Sequence, residues 1–334
     1  MMKRVPGILL ALVTLILVGY LLGPKVQFEQ VDPVIQSLNV PIEELESYIA
    51  SNESMAPPIK DDNESRILWA DGPQKTPWAI VYLHGFSASP MESYPVHVDV
   101  ARRFGCNIYL PRLSQHGLED TEAFLELTPT GLVESAKQAV AIGQIIGDRV
   151  IVMSCSTGGT LSVFLAANNP EMIDAQVLYS PNIEIFDPTA KLLNDPWGEQ
   201  ILKAVVGDYR ESPEDQGTEV EKYWSIRYRS EGLIALQDLL EQTMTPDVFA
   251  KVKQPLFMGY YFKNEEEQDQ TVSVAAMLNF YEAVGTEESK KVKMAFPSAG
   301  AHVITSPLQA SNHDIVQRVT EEFFLYTLEM RPVY

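Results

Sequence analysis

Cysteine, histidine and positive charge are all scarce in this 334-residue chain, and each shortage removes a class of function. The only two cysteines, Cys106 and Cys155, are too few for a disulfide framework, although one bond between them stays open. No Cys/His spacing suits a metal ion. Lys and Arg total 25 against 45 Asp and Glu, for a net charge of −20. A nucleic-acid partner needs clustered basic residues to meet phosphates, so that class is excluded and the acidity is read as solubility. Five histidines, at positions 84, 97, 116, 302 and 313, are the whole supply of imidazole bases. No internal repeat or low-complexity tract is present. What is present is a 46% hydrophobic composition, ample for a large core in one α/β domain with an insertion, or in two domains.

Basic residues, Lys3 and Arg4, precede an uncharged run from Val5 to Gly23. That length suits a membrane span, and the flanking charge favours an inside N-terminus. A cleaved signal peptide is the rival, although no small-x-small cleavage site follows the run. Either reading expects residues 1–25 to be a membrane anchor or signal segment that exports the rest, to the periplasmic side of a bacterial membrane or as a secreted protein. Residues 26–65 are acidic and carry Pro33, Pro41, Pro57 and Pro58, which reads as a tether containing one short helix in PIEELESYIASNES.

From residue 66 onward, short apolar runs alternate with helix-length amphipathic stretches. RILWA (66–70), AIVYLHG (79–85), CNIYLPR (106–112), RVIVMS (149–154), AQVLYS (175–180), PLFMGYYF (255–262) and VKMAFP (292–297) read as strands. Helical patterns occupy 95–105, 129–147, 273–285 and 313–330. Such alternation predicts an α/β fold with a mostly parallel central sheet flanked by helices on both faces. One interval, about 183–250, breaks the rhythm with no obvious strand. An insertion there would lie over the carboxyl edge of the sheet, either as a lid or as ordinary surface helices.

The string RVIVMSCSTGG (149–159) turns a buried strand sharply into a helix. Such a turn forces its apex into strained backbone and exposes that side chain, and small residues two positions either side let strand and helix approach. Ser156 is the apex, with Ser154 and Gly158 as the small neighbours. Ser154 departs from the usual glycine. Cys155 lies one residue early, so its side chain is expected to pack into the sheet.

A serine hydroxyl needs a base to take its proton and a carboxylate to orient that base. His302, in the glycine-containing loop AFPSAGAHVITS after the last strand, is the candidate base, whereas His313 begins a helix. The candidate acid is Asp269 in KNEEEQDQTVS, with Glu267 and Glu266 behind it. Charge developing on a carbonyl oxygen must meet preorganised backbone N–H groups. Thr157, after the nucleophile, and Phe86, in the HGF that closes a strand, are the candidates for that oxyanion hole.

Taken together, LHGF, SCSTGG, DQTVS and AHVITS resemble the α/β-hydrolase superfamily, in the chain order Ser, acid, His. YLPRLSQHGLED (109–120) is similar to the corresponding segment of bacterial carboxylesterases and monoacylglycerol lipases. The resemblance covers about residues 66–330, apart from most of the insertion. It implies the α/β-hydrolase fold over 66–334 with a helical cap at about 183–250. It also implies hydrolysis of small acyl esters through an acyl-serine intermediate, without a cofactor. His116 would line the pocket floor or hold its loop. Trp197 and Trp224 would line an acyl pocket or form the insertion's own core. The same fold and triad also suit a thioesterase, an amidase, a carbon–carbon hydrolase or an inactive binding protein.

Overall fold

Alternation of apolar residues along each strand divides the core in two. The computed structural model describes residues 5–212 and 217–334; Lys3, Arg4 and part of the acidic stretch ESPEDQ lie outside them. Seven strands form the main sheet: β1 (Arg66–Leu68), β2 (Thr76–Leu83), β3 (Asn107–Leu110), β4 (Gly147–Cys155), β5 (Ala175–Tyr179), β8 (Leu256–Tyr260) and β9 (Lys291–Ala295). Their order is β1-β3-β2-β4-β5-β8-β9. Only β1 runs antiparallel to its neighbour. Each of the seven lies within or overlaps a segment that the sequence marks as a strand.

Successive side chains of a strand point to opposite faces. Ala79, Val81, Leu83, Val150 and Val152 enter one core with helices α4 (Pro129–Ile146) and α5 (Thr157–Asn168). Ile80, Tyr82, Ile151, Met153 and Cys155 enter the other with α3 (Val96–Arg103) and α11 (His313–Tyr326). A continuous apolar strand is what burial on both faces demands.

The chain leaves β2 outward to β3 and returns through α4 to β4, which then leads the other way to β5. Connections therefore diverge at the carboxyl ends of β2 and β4. That divergence opens a crevice, the usual ligand position in open α/β sheets.

The insertion holds a 3-10 turn (Pro188–Asn194), α6 (Gly198–Val205), β6 (Tyr209–Glu211), α7 (Thr218–Tyr223), β7 (Arg227–Arg229), α8 (Glu231–Thr243) and α9 (Pro246–Phe249). Its antiparallel β6–β7 pair is a correction to the strandless reading. Strands of three residues spelled Tyr-Arg-Glu and Arg-Tyr-Arg carry no apolar run to reveal them. Ile234, Ala235, Leu239 and Leu240 of α8 are buried, and α8 packs on α4 and α5 as part of the helical layer.

Two N-terminal expectations also change. The apolar run forms α1 (Val5–Leu21), 17 residues long. At 1.5 Å per residue this reaches about 26 Å, short of the ~30 Å hydrocarbon core. Among the described residues no helix is long and apolar enough to cross a membrane. The expected membrane anchor is therefore unsupported.

Residues 26–65 form a packed strap instead of a free tether. Asn169 holds the strap through two bonds: its Oδ1 accepts from Ile35 N–H at 3.1 Å and its Nδ2 donates to Pro33 O at 2.8 Å. The short helix α2 (Leu45–Ser54) buries Leu45 and Ile49 in the first core. Its Glu53 pairs with Arg112 at 2.8 Å. The acidic, proline-bearing composition hides these few apolar anchors. We expect Leu45→Ala to cost about 3 kcal/mol in chemical denaturation, and residues 26–65 to resist limited proteolysis; rapid cleavage there would remove the strap assignment.

Candidate active site

Ser156 directly follows β4 with φ 52° and ψ −118°, a region that costs a non-glycine residue about 1–3 kcal/mol. Four backbone bonds hold it there. Its N–H donates to Tyr179 O at 3.0 Å, and its carbonyl accepts from Gly159, Thr160 and Asn182. Gly158 is obligatory, because a Cβ there would lie 1.9 Å from Leu83 O of β2. A Cβ on Gly159 would lie 2.7 Å from Pro181 Cβ. Ser154 fits where glycine is usual because its hydroxyl donates to Val177 O within the sheet, at 3.3 Å. Cys155 is fully buried and unpaired, and burial pushes its thiol well above the ordinary range. Burial likewise drives Cys106 up to about 12. Neither thiol is a nucleophile near neutral pH.

Asp269 is the carboxylate that meets His302. Its Oδ2 lies 2.6 Å from Nδ1 of the imidazole, and its Oδ1 accepts the Thr271 and Val272 amides. Glu265 and Glu266 are exposed, and Glu267 pairs with Lys263. Burial raises the Asp269 carboxyl, but His302 and the two amides outweigh it and hold the group below the ordinary carboxylate value. Burial lowers the His302 imidazole, and the Asp269 charge more than reverses this, so its pKa is raised overall. With Nδ1–H donated to Asp269, the lone pair sits on Nε2. That Nε2 is buried with no hydrogen-bond partner, so no bond joins it to Ser156. The His302 loop is fixed from behind by Ser180, whose hydroxyl donates to His302 O at 2.7 Å.

Across the crevice, Gly85 and Phe86 follow β2. A Cβ on Gly85 would come 3.1 Å from Ser156 Cβ, so this turn and the serine are in close contact. Phe86 N–H has no backbone acceptor among the described residues, and Thr157 N–H is the first amide of α5. Both are donors with no intrahelical or ladder partner. His84 shapes the turn: Nδ1 lies 2.9 Å from Gly85 O and Nε2 accepts Leu113 N–H at 3.0 Å. Burial pulls its pKa well below the ordinary imidazole value, which keeps it neutral.

The Phe86 ring packs with His116, Phe124 and Tyr228, at centroid distances of 5.9, 4.8 and 5.4 Å. Phe124 and Tyr228 were not legible as site residues, since only folding brings them onto Phe86. The insertion closes on the same turn, with Ser225 N–H donating to Ser87 O at 2.7 Å. His116 is buried, its Nδ1 lies 2.7 Å from Ser114 O, and burial lowers it to about 4. Trp224 is buried in the second core. Trp197 is 40% exposed and its indole donates to Gly19 O at the end of α1. Among the described residues no cluster of His, Cys, Asp and Glu suits a metal ion.

No family model matches the chain, and no curated protein matches it by sequence. Solved structures do. A structure from work on LipS and LipT, two metagenome-derived lipolytic enzymes, superposes with TM-score 0.62 at 15% identity, over 79% of this chain and 98% of that one. A monoacylglycerol lipase from Paleococcus ferrophilus gives 0.58 at 13% identity, over 78% and 97%. Est1E from Butyrivibrio proteoclasticus, solved with ferulic acid, gives 0.53 at 15% identity, over 80% and 95%. The chain thus has the α/β-hydrolase fold, which it shares with these lipase and esterase structures.

Proposed function

We propose that the protein is a serine carboxylesterase or lipase acting on small acyl esters. The observation that carries this reading is the half-buried 2.6 Å contact between His302 and Asp269, which leaves Nε2 unpartnered at the sheet edge where Ser156 follows β4. Ser156 Oγ attacks the acyl carbonyl carbon while His302 Nε2 takes the hydroxyl proton. The carbonyl oxygen becomes an oxyanion, met by the Phe86 and Thr157 amides. Collapse breaks the bond to the alcohol oxygen, which receives the proton from His302, and water then releases the acyl group by the same steps in reverse roles. The aromatic cluster around Phe86 supports an apolar acyl group. Neutral His116 beside it adds no charge that such a group would have to desolvate. The basic start and apolar α1 support a targeting role for the N-terminus and hence export of the domain; sequencing the mature N-terminus from fractionated cells tests that part.

The hydrolase reading is tested with p-nitrophenyl acyl esters of graded chain length, set beside matched thioesters and peptides. We expect Ser156→Ala to lower kcat by roughly 10⁶-fold with KM little changed; turnover retained in that variant rejects the nucleophile. Faster turnover of thioesters or peptides than of esters moves the reading to those bonds.

The pH profile follows from the His302 shift. Only neutral imidazole accepts the serine proton, so kcat/KM falls about tenfold per pH unit below the His302 pKa. Because Asp269 raises that pKa, the acid limb of the profile is expected above the ordinary imidazole value of 6.5. Asp269→Asn removes the charge, so the limb moves to lower pH while kcat drops by about 10⁴-fold. An unmoved limb in that variant would mean that the titrating group is not His302.

A further inference from the structure

A second buried carboxyl, Glu92, lies behind the crevice and has no part in the chemistry above. It is 1% exposed, and it sits between β2 and α3 in the loop that follows the HGF turn. One of its oxygens, Oε1, accepts two hydrogen bonds, from Gly85 N–H at 2.7 Å and from the Tyr82 hydroxyl at 2.8 Å. Its other oxygen lies 3.2 Å from where a Gly85 Cβ would stand, on a glycine whose Cβ would also be 3.1 Å from Ser156. Gly85 is thus held between the carboxyl and the serine.

The bonding of Gly85 decides which amide faces the site. Its N–H is committed to Glu92, and its carbonyl accepts from Ala88 N–H at 3.3 Å and is met by His84 Nδ1 at 2.9 Å. With the peptide unit before Gly85 and its own carbonyl both hydrogen-bonded, the Gly85–Phe86 peptide plane is restrained on both sides. Phe86 N–H is the donor that remains free.

The same network crosses to the base. The Tyr82 hydroxyl, bonded to Glu92, also contacts Ser93 Oγ, and Ser93 Oγ lies 2.6 Å from Thr305 Oγ1. Thr305 is three residues after His302, in the same loop. A continuous buried path therefore runs from the oxyanion turn to the loop carrying the imidazole. Such networks rigidify a site when every member is satisfied.

We propose that Glu92 is a positioning residue of this hydrolase, setting the orientation of the Phe86 amide through Gly85 and tying that turn to the His302 loop through Tyr82, Ser93 and Thr305. This deepens the ester-hydrolase reading and rests on it. The groups facing Glu92 are consistent with a fixed structural carboxyl: Tyr82 from β2, Cys155 from β4 and His302 from its loop. His97 of α3 packs on the Tyr82 ring at 4.6 Å. Burial pushes the Glu92 carboxyl up to about 7, against the Tyr82 and Gly85 bonds that favour its charged form.

Because both bonds fall on one oxygen, a glutamine carbonyl reproduces them and a leucine does not. The test compares the full-length wild type, Glu92→Gln, Glu92→Leu, Tyr82→Phe and Ser156→Ala in ester hydrolysis. It also measures inhibition by a trifluoromethyl ketone, whose serine adduct carries the oxyanion. Glu92→Gln is expected within about threefold of wild type. Glu92→Leu should lose roughly 100-fold in kcat, the scale of an ångström-sized misplacement, with KM within about threefold. Its affinity for the ketone should fall by a similar factor. If Glu92→Leu yields no folded protein, Tyr82→Phe carries the test, with kcat and ketone affinity expected to fall together about tenfold. Wild-type kcat in Glu92→Leu, or ketone affinity that stays put while kcat falls, overturns the positioning role. Equal loss in Glu92→Gln and Glu92→Leu overturns it too. Failure of the underlying reading looks different: wild type and Ser156→Ala would then show the same absence of turnover, and the positioning role would fall with it.

Discussion

The turn from β4 into α5 exists only because backbone can press against backbone. Gly158 lies against the Leu83 carbonyl of β2 so closely that any Cβ would collide with it, and β2 cannot move because it is paired on both sides within the sheet. That contact fixes where α5 begins, puts Ser156 at positive φ and leaves the Thr157 amide at a helix start. The strain is sustained by the four bonds at Ser156, which come from Tyr179 of β5, from Gly159 and Thr160 of α5 and from Asn182 in the loop after β5. Loosen the approach and the serine, the donor and the crevice all change together.

Around this point, polar groups are buried only where they are paired or kept neutral. Asp269 is ionised because an imidazole and two amides compensate its desolvation, whereas His84 and His116 avoid that cost by remaining uncharged. The three loops at the crevice are each tied to a different part of the frame. The turn after β2 is held by His84 and Glu92, the β4 turn by Tyr179 and Asn182, and the His302 loop by Ser180. Precision of this kind comes from rigid strands lending their ends to loops that have little stiffness of their own.

The insertion and the strap each brace a loop. Tyr228 and Ser225 of the insertion lie directly on the Phe86–Ser87 turn, and α8 anchors it by joining the helical layer. The strap crosses that layer through Ile35, Leu45 and Ile49, and its Glu53 binds Arg112, which also donates to His116 O at 3.0 Å. A residue of the strap thus supports the loop that packs against Phe86.

Sheet strands, flanking helices and the strand-to-helix turn at Ser156 were readable in the chain because each is a local pattern: buried parallel strands are apolar throughout, and a tight strand-to-helix turn needs small residues at set positions. The short β6–β7 pair and the strap's anchors were not readable, since three-residue charged strands and isolated leucines in an acidic stretch carry no periodic signal. Asp269 could be singled out from its glutamate neighbours only weakly in the sequence, where all stand in one polar loop. Folding separated them, because only Asp269 turns inward onto His302 and the Thr271 and Val272 amides. Glu92, Phe124 and Tyr228 belong wholly to the tertiary structure. Their importance comes from partners distant along the chain, and proximity of that kind is created when the sheet closes, not when its strands are spelled.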